Sequence, residues 1–157
     1  MASVSDQAFL MRGYLREGGP PMLLASLFLP ARAEFVSDIR DVVRRVLVMA
    51  AAEEGARYSA QPVTSELVTN VVRHSVVASN ATVGLALSRD GATLRIAIHD
   101  ADPESGEPSE PDEDQESGRG LLVVEGVSDR WGVDRTLVGK LTWCELTAWP
   151  EDARAYS

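Results

Sequence analysis

The sequence predicts an α+β fold, a two-layer α/β sandwich whose helices cover one face of a mixed, mostly antiparallel sheet. Three stretches predict it. MLLASLFLP, residues 22–30, is a continuous apolar run of strand length closed by Pro30. In AEFVSDIRDVVRRVLVMAAAEE, residues 33–54, apolar side chains recur at Phe35, Val36, Ile39, Val42, Val43, Val46 and Leu47, the spacing of a helix with one buried face. ATVGLALSRDGATLRIAIHD, residues 81–100, alternates apolar and polar side chains on both sides of Asp90 and Gly91, a pair that tolerates positive φ and favours a tight hairpin turn.

The chain has 157 residues, 45% of them hydrophobic, which suffices for one ordinary domain and is too little for two cores and a linker. Residues 1–21 mix polar and apolar side chains and end in the breaker cluster GGPP, so they read as an N-terminal extension to a domain over 22–150. The first helix is expected to end at Gly55 and a second to begin near Pro62, because proline suits a first helical turn. Between 101 and 117, ADPESGEPSEPDEDQES carries three prolines, eight carboxylates and no Lys or Arg, which predicts a loop outside the core. A glycine turn, a short apolar helix and a strand around Trp131 follow. GKLTWCELTAWP, residues 139–150, supplies the last strand and leaves 151–157 as a tail. There is no internal repeat.

Charge and cysteine content narrow the function. A formal net charge of -9 and a pI near 4.7 argue against a broad nucleic-acid surface or an anionic membrane surface, since both would be repelled. The single cysteine, Cys144, excludes an internal disulfide framework and a thiolate-rich metal site, and two histidines leave little for a zinc centre. The apolar run MLLASLFL is too short to span a bilayer. A soluble protein in a reducing cytoplasm is expected.

The chemistry concentrates in SELVTNVVRHS, residues 65–75. At about 100° per residue, Glu66, Asn70 and Arg73 fall within a sector of about 60°, with Thr69 beside it. Val63, Leu67, Val68, Val71 and Val72 occupy much of the other side. A carboxylate and an amide oxygen one turn apart can place a proton acceptor beside a ligand for a hard cation, provided a nucleotide sits opposite. The same pattern is also that of a solvated face on an amphipathic helix. Asp100 closes the strand LRIAIHD, where its carboxylate can accept from an exocyclic amine such as that of adenine or serve as a turn residue. GRGL, Gly118 to Leu121, puts two glycines at the start of a helix, where free backbone N–H groups can hold phosphate oxygens; alone it is equally a flexible turn.

Taken in order, SELVTNVVRHS, a strand ending in HD, a variable loop, GRGLLVVEGVSDRWGV and a closing GKLTWCEL resemble the ATP-binding (Bergerat) fold shared by gyrase, sensor histidine kinases and anti-sigma-factor serine kinases. Within that group the chain looks most like the anti-sigma-factor kinase branch abundant in actinomycete regulators, over about residues 22–150. The resemblance implies ATP and Mg²⁺ as cofactors. It makes Glu66 the catalytic carboxylate that activates the attacking hydroxyl, and Asn70 the ligand of the Mg²⁺ that bridges the ATP phosphates. It makes Asp100 the aspartate that recognises the adenine amine. Gly118 and Gly120, with Arg119 and Leu121 in the same turn, match the phosphate-binding segment, and Thr142 the last-strand threonine near adenine. Arg73 is placed for phosphate or partner contact, with His74 a weaker candidate.

Two departures stand out. The superfamily's D-x-G-x-G pattern is replaced by DADPE, with Asp102 and Glu104 at the glycine positions, and the lid segment 101–117 is strongly acidic. The resemblance implies a serine/threonine protein kinase that phosphorylates an anti-sigma-factor antagonist and sequesters a sigma factor, with a homodimer as the common assembly and no direct nucleic-acid or membrane partner. DADPE favours an alternative, a non-catalytic partner-binding module of the same fold with weak ATP binding or none. A sensor histidine kinase would need a phosphoacceptor helix pair, and a topoisomerase or chaperone further domains.

Overall fold

The computed structural model describes residues 21–74, 81–101, 122–136 and 139–151. The elements run β1 (Met22–Pro30), a 3-10 turn (Ala33–Phe35), α1 (Val36–Met49), α2 (Glu54–His74), β2 (Thr82–Asp90), β3 (Thr93–Ala101), a short helix α3 (122–127), β4 (Arg130–Thr136) and β5 (Gly139–Thr147). The strands form one sheet in the order β1-β2-β3-β5-β4. Every pairing is antiparallel, so the mixed sheet expected from sequence is wholly antiparallel among the described residues. The expected N-terminal extension, most of the acidic loop 101–117 and nearly all of the tail lie outside the described residues.

The α layer forms because both helices carry an unbroken apolar stripe. Ile39, Val43 and Leu47 of α1 are fully buried at helical spacing, and Ala56, Ala60, Val63, Leu67 and Val71 continue the stripe on α2. They pack against Leu85, Leu87, Ile96 and Ile98 of the central strands in one core cluster that also takes in Val124 of α3. On the outer face a smaller cluster, Ala86, Ala97 and Leu141, is covered by Phe28 and Trp143. Glycine is required there at two positions: a Cβ on Gly84 or on Gly132 would lie 2.7 Å from the ring of Phe28 or Trp143, respectively.

The helix boundaries differ from the sequence expectation. α1 ends at Met49, before Gly55, through a Schellman cap in which Ala52 N–H donates to Leu47 C=O at 3.0 Å and Ala51 N–H to Val48 C=O at 3.1 Å. The left-handed residue is Ala51, at φ 54°, where glycine is usual. α2 starts at Glu54, so Gly55 and Pro62 both lie inside it. Gly55 sits in the first turn, where its weak propensity costs least. Pro62 removes one backbone donor, a loss of about 3 kcal/mol relative to alanine. It is exposed, as is Tyr58, whose carbonyl would have received that bond, so the break lies on the solvent side of the helix. The stripe of buried residues on the opposite side holds the helix through the break.

The β2–β3 hairpin turns through Gly91 and Ala92, with Asp90 paired to Thr93 as the last rung. Gly91 has φ 60°, so the glycine supplies the left-handed conformation the tight turn needs. Antiparallel alternation then fixes which side chains face the helices. Leu94, Ile96 and Ile98 belong to the helix-side core, so Asp100 points to that same side.

Candidate functional site

Of the residues singled out from sequence, Glu66, Asn70, Arg73 and Asp100 lie towards one end of the sheet. α2 runs from the hairpin end towards the start of β2, and Thr82 at that start pairs with Ala101 at the end of β3. The C-terminal half of α2, which carries Glu66, Asn70 and Arg73, therefore lies at the same end as Asp100. Burial of Leu67, Val68 and Val71 at 5% exposure or less locks the rotation of this half against the sheet. Thr64, also buried, donates its hydroxyl back to Ala60 C=O at 2.7 Å. Glu66, Thr69 and Asn70 are then left half-buried along one side, and Arg73 is exposed. Arg40 of α1 reaches across to Ser65 Oγ at 3.4 Å and ties the two helices beside this face.

The sheet supplies the floor. Asp100 is 5% exposed, flanked by Val83 of β2 on one side and Lys140 of β5 on the other. Thr142 faces the helices as well, but its partner is Ile98, one row deeper than Asp100. The residue directly opposite Asp100 is Lys140, which the motif reading passed over. The alternation of GKLTWCEL could have placed Lys140 on this face, but only the β3–β5 register puts it beside Asp100. Gly118, Arg119, Gly120 and Leu121 lie outside the described residues, as does the side chain of His74.

The remaining reactive groups lie elsewhere. Burial pushes the Cys144 thiol up to about 11, so it is a core residue and not a nucleophile. His99 points to the outer face, 2% exposed, and shares a hydrogen bond with Thr136 Oγ1 at 3.2 Å, while burial lowers its pKa. Among the described residues no group of three His, Cys, Asp or Glu side chains is arranged to hold a metal. A Mg²⁺ ion carried by nucleotide phosphates takes one or two protein oxygens and keeps several waters, so a single amide oxygen on α2 beside a carboxylate is a donor set that suits it. A buried carboxylate on the floor likewise suits a ligand that presents an amine.

The matching family model is the histidine kinase-like ATPase domain, over residues 29–146, and the chain belongs to that family. Among solved structures it is similar to the RsbU and RsbW domains of Rv1364c from Mycobacterium tuberculosis, with a TM-score of 0.59 and 20% identity. That match covers 85% of this chain and 33% of the other, so the chain spans about a third of its structural neighbour. No curated protein matches the sequence. Among the described residues no helix is long and apolar enough to cross a membrane.

Proposed function

We propose that the protein is an ATP-dependent serine/threonine kinase of the anti-sigma-factor type, acting in the cytoplasm. The observation that carries the reading is the placement of Glu66 and Asn70, half-buried on one side of α2, at the sheet end where Asp100 is buried on the helix side. Asp100 accepts from the adenine amine, with Thr142 deeper on the same floor. Asn70 gives its amide oxygen to Mg²⁺, and Arg73 lies a turn further on at the exposed rim. Gly118, Arg119, Gly120 and Leu121 are assigned to bind the phosphates. ATP supplies the γ-phosphoryl group. Glu66 takes the proton from the Ser or Thr hydroxyl that attacks it, which aligns the nucleophile and raises its reactivity.

The substrate in this reading is an anti-sigma-factor antagonist, and the same protein sequesters a sigma factor until the unphosphorylated antagonist competes for it. A homodimer is the assembly we infer. Membership of the ATPase family and the likeness to a structure of RsbU and RsbW domains support this choice over other phosphoryl acceptors. A second reading, a partner-binding module without catalysis, is favoured by one feature. DADPE puts Asp102 and Glu104 at the two glycine positions of the wider superfamily's D-x-G-x-G pattern.

Calorimetry with Mg²⁺-ATP separates the two. Binding by the parent, abolished in Asn70→Ala and largely kept in Glu66→Ala, is the kinase outcome. Glu66→Ala should then slow phosphoryl transfer to the antagonist by about 10²–10⁴-fold, the usual contribution of a general base. Absence of binding to the parent at millimolar ATP would overturn the kinase reading for the isolated chain.

A further inference from the structure

α1 carries an apolar flank that the rest of the described fold does not cover. Ile39, Val43 and Leu47 define its buried side, and Arg40 reaches Ser65 of α2 at 3.4 Å, so one flank is turned to α2. At about 100° per residue, Phe35, Asp38, Val42, Arg45 and Met49 fall on the opposite flank, within a sector of about 80°. Phe35 and Val42 are half-buried yet belong to neither core cluster, and Met49 is 87% exposed. α2 lies over β2, β3 and β5, and Val124 and Val127 of α3 join the core with Trp131 of β4, which leaves α1 to cover β1. The apolar flank therefore faces out past the β1 edge.

We propose, resting on the homodimer inferred above, that two copies of the chain meet on this flank, α1 against α1, antiparallel across a two-fold axis near Val42. The spacing is self-complementary. Such an axis brings Val42 to its own copy, Phe35 of one protomer to Met49 of its partner, and Asp38 to the level of the partner's Arg45. Residues 35, 42 and 49 supply an apolar seam at heptad spacing, and the acid and the base flank it. Asp38 and Arg45 make no ion pair among the described residues. Seven positions separate them, a rise of about 10 Å, so they cannot pair within one helix. Across the axis the pair forms twice. Net charge also favours this side. The chain carries a formal charge of -9, so two copies repel over most approaches, whereas β1 has no charged side chain from Met22 to Pro30. One helix pair of this length is a small interface beside the roughly 1,200 Å² of stable complexes, so association is expected in the micromolar range.

The test is sedimentation velocity of the full chain between about 1 and 100 μM, a range that brackets such an affinity. Val42→Arg, Asp38→Arg, Arg45→Asp and the double reversal are run beside the parent, each checked for folding by circular dichroism. The parent is expected to move from 17.0 kDa towards twice that mass as concentration rises. Val42→Arg, which puts two like charges on the axis, should raise the dissociation constant at least about tenfold. Each single reversal should raise it about three- to tenfold, and the double reversal should return it to within about threefold of the parent. A parent that stays monomeric throughout, a dimer unmoved by Val42→Arg, or a double reversal no tighter than the singles overturns the proposal. Mg²⁺-ATP affinity of the same samples reads the nucleotide site separately, so failure of that site and failure of this surface are told apart.

Discussion

The two ends of the sheet are built for different purposes. At the hairpin end, three distant segments are stitched together. Ala148 N–H donates to Ala92 C=O at 2.8 Å, Glu53 N–H donates to Ala148 C=O at 2.8 Å, and the Trp149 indole N–H donates to Ala50 C=O at 2.9 Å. Arg89 closes over the Trp149 ring at 4.3 Å. The α1–α2 connection, the hairpin turn and the end of β5 thus form one knot. At the other end the helix-side face presents a buried carboxylate, an exposed lysine and a helix flank of half-buried polar groups. Interlocking hydrogen bonds gather at one end, and the other presents the polar groups proposed to take nucleotide. This division lets a site carry groups that a core would not tolerate.

The largest expected effect tests the hairpin end. Trp149 is 3% exposed, so Trp149→Ala removes a large buried ring together with its hydrogen bond to Ala50. It should cost about 4 kcal/mol in urea unfolding. Trp149→Phe keeps most of the ring and loses the indole N–H, so the expected cost falls to about 1–2 kcal/mol. If the two ends are as separate as the geometry indicates, the Phe variant, measured under conditions where it is folded, keeps the parent's affinity for Mg²⁺-ATP. A parallel loss of nucleotide affinity would show that the knot also positions the site.

A smaller effect lies in the same knot. Ala51 holds a left-handed conformation that costs an L-residue about 1–2 kcal/mol and costs glycine almost nothing. Ala51→Gly should therefore stabilise the fold by about 1 kcal/mol, net of the greater freedom glycine gains in the unfolded chain. Thermal unfolding would read this as a rise of a few degrees for a domain of this size. A fall in melting temperature would mean that the Schellman cap does not bear the strain assigned to it.

Local pattern made much of this fold legible, and the exceptions share a cause. Pro30 closes β1, and Asp90 with Gly91 marks the hairpin, because turn chemistry is decided by the residues themselves. The helical spacing of SELVTNVVRHS places Glu66 and Asn70 on one side, and the structure has both half-buried there. The start of α2 was not legible, because Gly55 and Pro62 are breakers by local rule and are overridden by the buried stripe from Ala56 to Val71. Lys140 and Trp149 escaped for a related reason. The partner of Lys140 is set by strand register, and Trp149 bonds a carbonyl 99 residues away, so neither contact leaves a local signature.

The smallest expected effect belongs to the same end of the sheet, on the side away from the face proposed to take nucleotide. His99 adjoins Asp100 in sequence but points to the outer face, where it is buried and bonded to Thr136. Burial lowers its pKa from the ordinary 6.5, so the folded state resists the proton that the unfolded chain accepts. Well above pH 6.5 both states hold a neutral imidazole and the residue contributes no pH dependence. As the pH falls below that value the unfolded chain gains a proton first, and stability is lost until the pH reaches the lowered folded pKa. His99→Gln removes this contribution, so its melting temperature should fall less between pH 7 and pH 5 than the parent's. Equal slopes for the two proteins would mean that the folded state accepts a charged imidazole at this position, and that the outer face near Thr136 is wetter than its burial implies.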